Sequence, residues 1–212
     1  MNDAKLKPRR IRDTTKERHR KALIEATADA ILDHGLASVS ISRILEIAGL
    51  SRGMVNLHFS TKNGLLIEVA RYFADAYVEN WQQAMEAAGP RPEDQLRALI
   101  KADFDPSVLN RRAMAVWMAF RAEAHSTPEY LPFIDSRDTR MQKTLHQICA
   151  TLTREGPYPH IYPRYAAHAF IAVLEGLWTD FHLHPDRFNR DEAREVVLHM
   201  ARGFFPRHFP ED

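Results

Sequence analysis

One cysteine in 212 residues, Cys149, leaves no partner for an intrachain disulfide and no second thiolate for a zinc site. Only eight glycines are present, and none falls in a G-x-x-x-x-G-K or G-x-G-x-x-G pattern, so phosphate-cradling loops are excluded. No run of about eighteen apolar residues occurs, and the basic start has no apolar stretch behind it. A membrane span and a secretory signal are therefore not expected, and a reducing cytoplasm is the simplest home. Alternation of β-branched with polar residues is missing throughout, which argues against strands. Aromatic residues are missing too, but only locally: of twenty, nineteen lie after residue 60, and Phe59 is the exception.

What is present is unevenly charged. The net charge is +1, yet residues 1–64 carry twelve Lys or Arg against seven Asp or Glu, a balance of +5. The remaining residues stand at −4. Most of the positive charge gathers in residues 1–21, at Lys5, Lys7, Arg9, Arg10, Arg12, Lys16, Arg18, Arg20 and Lys21, opposed by Asp3, Asp13 and Glu17. A basic arm ahead of a compact head suits a phosphate backbone, where each neutralised phosphate releases counterions. A solvated tail is the plainer account of the same residues.

The chain reads as all-α. Thr14-x-x-Glu17 is a capping box for a first helix, along which Leu23, Ala26, Thr27, Ala30 and Ile31 repeat at helical spacing until Gly35. Ser40 caps a short second helix, Ile41 to Ala48, which turns its Ile41, Ile44, Leu45 and Ala48 inward. Gly49 ends it, and Ser51 restarts the chain for a third helix, Arg52 to His58. Two short helices about Gly49-Leu50-Ser51 have the helix-turn-helix layout, whose second member enters the major groove. Ser60 or Thr61 opens a long helix to about Ala87. Later helices are expected near 93–104, 107–125, 129–154, 163–183 and 190–203, with Pro132 able to delay the third of these. This makes about nine helices: a basic flexible arm at 1–15, a three-helix head at 16–60, and a larger helical body at 61–212 to which helix 61–87 is the link.

Ser40-Ile-Ser-Arg-Ile-Leu-Glu-Ile-Ala-Gly-Leu-Ser-Arg-Gly-Met-Val-Asn-Leu-His-Phe59, continuing through Ser60-Thr61-Lys62-Asn63-Gly64-Leu65, resembles the DNA-binding head of TetR-family regulators. The shared features are Ala48-Gly49, Ser51-x-Gly53, His58-Phe59 and Lys62. The resemblance implies a dimeric, cytoplasmic, ligand-responsive repressor that binds a near-palindromic double-stranded operator, with no cofactor, no metal and no catalysis. Physical chemistry distributes the roles. Ser40, Ser51 and Lys62 stand at helix N-termini, where free amides and the dipole favour phosphate. Arg52, Asn56 and His58 carry donors for base edges, Arg fitting guanine and Asn adenine, with phosphate as the other destination for His58. Gly53 allows either close approach to DNA or tight packing within the head. The family often has Tyr where Asn56 stands.

That departure points toward the choline-responsive, BetI-like branch, whose third helix reads Gly-Ile-Ile-Ser-His-Tyr-Phe against Gly-Met-Val-Asn-Leu-His-Phe here. Ala113-Met-Ala-Val-Trp117-Met-Ala-Phe120 resembles the Trp-x-Ala-Phe helix of that branch, and Leu174-Glu-Gly-Leu-Trp178 its Asp-Gly-Leu-Trp segment. Arg121 stands where those proteins often carry a second Trp. A quaternary ammonium offers no strong donor, so its recognition falls to aromatic faces aided by a carboxylate. Trp117, Phe120, Tyr162, Trp178 and Phe181 are the candidate ligand-binding residues, and core packing is the plainer account of each.

Residues 164–183 show two apolar stripes, Ala166, Ala169, Phe170, Val173, Leu177 and Ala167, Ile171, Leu174, Trp178, Phe181. Such a helix is expected to bury one side in the body and the other, with helix 190–203, against a second copy. Two alternatives keep the regulator: a more lipophilic metabolite or drug as effector, or no effector at all. A metal-dependent hydrolase is the rival from another class, invited by eleven histidines. His182-x-His184 does not share a helix face, however, and no His-Glu-x-x-His occurs.

Overall fold

A computed structural model describes residues 7–134 and 140–210, with residues 7–14 as backbone only. Among them are ten α-helices and no strand: α1 (Lys7–His34), α2 (Ile41–Ala48), α3 (Gly53–Phe59), α4 (Lys62–Ala88), α5 (Pro92–Asp103), α6 (Arg111–Glu123), α7 (Leu131–Ile134), α8 (Arg140–Glu155), α9 (Pro163–Leu183) and α10 (Arg190–Phe204). Short 3-10 turns cover Leu36–Ser38 and Pro128–Tyr130.

Most boundaries have a local cause. Gly35 stops α1 at φ 73°. The Ser40 hydroxyl accepts the Arg43 amide at 3.3 Å to open α2, and Gly49 closes it in the left-handed region. Pro92 occupies the first position of α5, where its missing N–H costs nothing. Asn189 caps α10 by accepting from the Asp191 and Glu192 amides.

Three expectations need correction. The first helix begins at Lys7, ahead of the Thr14-x-x-Glu17 box, with Pro8 tolerated in its opening turn. The Thr14 hydroxyl and the basic side chains up to Arg12 lie outside the described residues. The helix expected from 107 begins at Arg111, because Asp105 is taken up by the Ser107 amide and hydroxyl while Asn110 caps the Ala113 amide at 2.9 Å. The helix expected over 129–154 is divided: Pro128 opens a 3-10 turn, Pro132 sits in the first turn of the four-residue α7, and the regular helix is α8. This division gives ten helices where about nine were expected.

The chain forms two compact units, one of Met1–Phe73 with Ala115–Phe133, the other of Ala74–Met114 with Ile134–Asp212. In the first, α1 packs on α2 and α3. Its core holds Leu23, Ile24, Ile31, Val39, Ile44, Val55, Phe59, Leu65 and Val69, all buried. Burial of each contributes about 1.5–3 kcal/mol. Arg20 adds an ion pair to Glu68 and lies over the Phe59 ring. In the second unit α8 packs on α5 and α9, and α10 on α5 and α9. Cys149 is fully buried there, and burial pushes its thiol up to about 12, so it serves as core.

In α9 the buried side takes from both predicted stripes: Ala166, Ala167, Phe170, Leu174, Trp178 and Phe181. The opposite side stays open along Tyr165, His168, Ala172, Gly176, Thr179 and Leu183, at the spacing of one helical face.

Candidate functional site

Packing of α3 decides what it presents. Val55 and Phe59 point into the core and Met54 and His58 are half-buried, so by the helical period Arg52, Gly53, Asn56 and Leu57 share the outer face. All four are exposed. Ser51 is also exposed, and its carbonyl receives the Met54 amide at 2.9 Å. The expected cap is displaced by one residue: α3 starts at Gly53, Arg52 is its boundary, and no side chain caps it. Of the first amides of α3, that of Met54 is therefore held by backbone alone.

Gly53 resolves one of the two accounts given for it. A Cβ built there meets nothing within 4 Å, and φ is not positive. Neither packing within the protein nor backbone strain calls for a glycine. Close approach by an outside partner remains.

Lys62 is the first residue of α4 and is exposed. Thr61 provides the cap, its hydroxyl accepting the Gly64 amide at 2.9 Å. A cation at this end opposes the helix dipole, so Lys62 does nothing for α4 itself. Ser40 is exposed at the equivalent end of α2, its hydroxyl already engaged as cap. Lys16, Arg18 and Lys21 are exposed on α1, whereas Arg20 is committed to Glu68.

His58 is placed differently from the other candidates. Its ring meets His19 edge-on at 6.3 Å and Phe59 at 6.0 Å, and both ring nitrogens are buried with no hydrogen-bond partner among the described residues. Burial lowers its pKa, assisted by Lys16, His19 and Arg20 and opposed by Glu17. A neutral imidazole facing α1 sets the seat of α3 rather than reaching outward.

The aromatic candidates divide between the units. In the first, Phe120 is fully buried against Tyr130, centroids 4.6 Å apart, and Arg121 lies over Trp117. In the second, Phe181 packs edge-on against Phe188 at 5.4 Å with Arg190 over its face. Tyr162 is 65% exposed at the start of α9, beside Tyr165, and walls no interior.

Trp178 has the most distinctive surroundings. Its indole donates to Asp103 Oδ2 at 2.8 Å, while the Tyr77 hydroxyl donates to Asp103 Oδ1 at 2.7 Å. The Tyr77 and Trp178 rings meet edge-on at 5.1 Å. Asp103 is 1% exposed, and its partners are neutral. Burial raises this carboxyl to about 7 against the two hydrogen bonds that lower it. Burial, followed by the neighbouring carboxyl, pushes the Tyr77 phenol well up. Asp103 and Tyr77 were not among the sequence candidates. The available signal was the position of Asp103 on the same stripe as Leu96, Leu99 and Ile100, an acid where an apolar residue belongs.

Comparison with known proteins gives these features a context. Residues 23–69 match the family described as "Bacterial regulatory proteins, tetR family", and residues 92–206 match "BetI-type transcriptional repressor, C-terminal". The chain is 34% identical over 179 residues to the HTH-type transcriptional regulator BetI of Stenotrophomonas maltophilia (strain R551-3), covering 84% of this chain and 88% of that one. With the regulator of the same name from Yersinia pestis (strain Pestoides F) it shares 32% over the same coverage. Among solved structures, a transcriptional regulator from Pseudomonas aeruginosa PAO1 superposes with a TM-score of 0.79 at 24% identity, covering 97% of each chain, a likeness of fold.

Proposed function

Because the chain belongs to the tetR family of bacterial regulatory proteins and carries a BetI-type repressor C-terminal region, we propose that it represses transcription from a near-palindromic operator and releases it on binding a small organic cation. It is a DNA-binding transcriptional regulator of the TetR/BetI type; regulators of this family bind DNA operators and form dimers. Its place of work is the cytoplasm, where bacterial DNA is. In this reading residues 1–15 are a basic arm, 16–60 read DNA, and 61–212 hold the effector and a second copy.

One observation carries the DNA reading. The outer face of α3 presents Arg52 and Asn56 together with a glycine that the protein's own packing does not require. Arg52 and Asn56 take the base edges, and Ser40, Ser51 and Lys62 the phosphates; His58 supports α3 from behind. A second copy seats on the open face of α9, with Val196 of α10, 47% exposed, as a further apolar contact.

Measured by titration of an operator selected from random duplexes, Asn56→Ala is expected to lose about 10–100-fold in specific affinity while keeping non-specific binding. Lys62→Ala is expected to weaken both and to reduce the slope of log affinity against log salt by about one. Normal binding by both variants refutes the assignment.

For the effector, the supporting observation is a buried carboxyl whose hydrogen-bond partners among the described residues, an indole and a phenol, are both neutral. A quaternary ammonium satisfies both the ring faces and the charge. Calorimetry with choline and with betaine aldehyde tests this, and no heat from either removes the quaternary-amine version. The branch of the family makes this preferable to a lipophilic effector, since an apolar ligand has no use for Asp103.

A further inference from the structure

Leu57 is 62% exposed, the most exposed large apolar side chain among the described residues of the first unit. Nothing in the fold asks for it: the inward face of α3 is complete with Val55 and Phe59. Its neighbours on the outer face are polar or bare, with Asn56 beside it and Arg52 and Gly53 one turn earlier.

Helix geometry joins Leu57 to Gly53. Cα–Cβ bonds tilt toward the helix N-terminus, so a residue covers the surface over the preceding turn. The residue in that turn on the same face is Gly53, which offers no side chain and has nothing within 4 Å of where a Cβ would stand. The isobutyl group stays more than 4 Å from where that Cβ would stand, so it projects outward beside bare backbone and makes a shallow apolar step. The groups flanking that step, Arg52 and Asn56, are suited to hydrogen bonds. In a major groove one base-edge group is apolar, the C5-methyl of thymine.

We infer that Leu57, exposed beside the bare backbone of Gly53, reads a thymine methyl in each operator half-site. This rests on the operator-binding reading above and adds a contact that the polar residues cannot make. A protein partner for the same step is the competing occupant, and the test separates the two.

Full-length protein is used to select a site from random duplexes, and each thymine of that site is then replaced in turn by deoxyuridine, which removes the methyl alone. With the wild type, one position per half-site is expected to lose about fourfold in affinity, the worth of one buried methyl group. Leu57→Ala is expected to bind the thymine and uracil duplexes equally at that position. Gly53→Ala, which clashes with nothing, is expected to keep the fold and shrink the wild-type preference. The inference fails if no thymine methyl matters, or if Leu57→Ala leaves the preference intact. It fails equally if Leu57→Ala changes the sedimentation behaviour of the free protein and not the preference, which assigns the side chain to a protein contact. Selection of no sequence at all refutes the operator reading as well, an outcome distinct from tight binding without methyl preference.

Discussion

In the first unit the half-buried imidazole of His58 stands beside Lys16, His19 and Arg20, and its nitrogens have no hydrogen-bond partner among the described residues. In the second, the carboxyl of Asp103 is enclosed between Tyr77 and Trp178, and both of its oxygens are hydrogen-bonded. Each group is held toward its neutral form, but the consequences for pH run in opposite directions. His58 is depressed below 6.5, so its contribution is present above that value and is lost as pH falls through the folded pKa. Asp103 is raised from 3.8 to about 7, so its contribution is present below 3.8 and is lost as pH rises through 7. In the function proposed above, the first serves as a brace behind the DNA-reading face and the second as an acidic seat for an organic cation.

The largest effect belongs to Asp103. Between pH 4 and 8 the second unit is expected to lose roughly 2–4 kcal/mol through this group alone, from a shift of about three pH units. Asp103→Asn keeps the shape without the charge, so the loss is expected to vanish and the variant to be the more stable protein at pH 8. Denaturant unfolding at several pH values, resolved by hydrogen exchange of α5 and α9, measures this. A variant with the wild-type slope would show that the carboxyl is not held neutral.

A smaller effect of opposite sign is expected from His58. Replacing it with a neutral side chain, His58→Gln, is expected to remove the weakening of α1 and α3 that acidification from pH 7 to 5 causes in the wild type. Hydrogen exchange in those helices is the measurement. If protection in the variant still falls with acid as before, the titrating group is elsewhere.

How much of this was legible beforehand follows from how local each signal is. The bounds of α2 could be read because Ser40 and Gly49 act on their own neighbours. The start of α1 could not, since Thr14 caps equally well on paper whether or not helix precedes it. In the site, Arg52 and Asn56 were legible as polar residues opposite Val55 and Phe59 on a short helix. His58 was misleading because its side of α3 is decided by α1, distant in sequence. Asp103 escaped because a carboxylate near a helix end reads as solvated unless its place in the apolar stripe is weighed. Leu57 escaped for the converse reason: an apolar residue on a helix reads as core.

The smallest effect tests a cost stored in backbone rather than in charge. Ser60 joins α3 to α4 at φ 61°, ψ −44°, and the Thr61 amide donates back to the Phe59 carbonyl at 2.6 Å, closing a γ-turn of the strained hand. Among the described residues no other non-glycine has positive φ. The turn is tight because α4 must begin at once: a Cβ on Gly64 would stand 2.5 Å from the Phe59 carbonyl oxygen, so the first turn of α4 already lies against the end of α3. Such a conformation costs a serine about 1–3 kcal/mol, and glycine escapes most of this while losing about 0.5–1 kcal/mol to its freer unfolded chain. Ser60→Gly is therefore expected to stabilise the first unit by about 1 kcal/mol in denaturant unfolding, with no change in the pH slopes of either unit. A loss instead would mean that the Ser60 side chain holds the turn, and the junction that sets Lys62 beside α3 would then depend on a hydroxyl rather than on the close fit at Gly64.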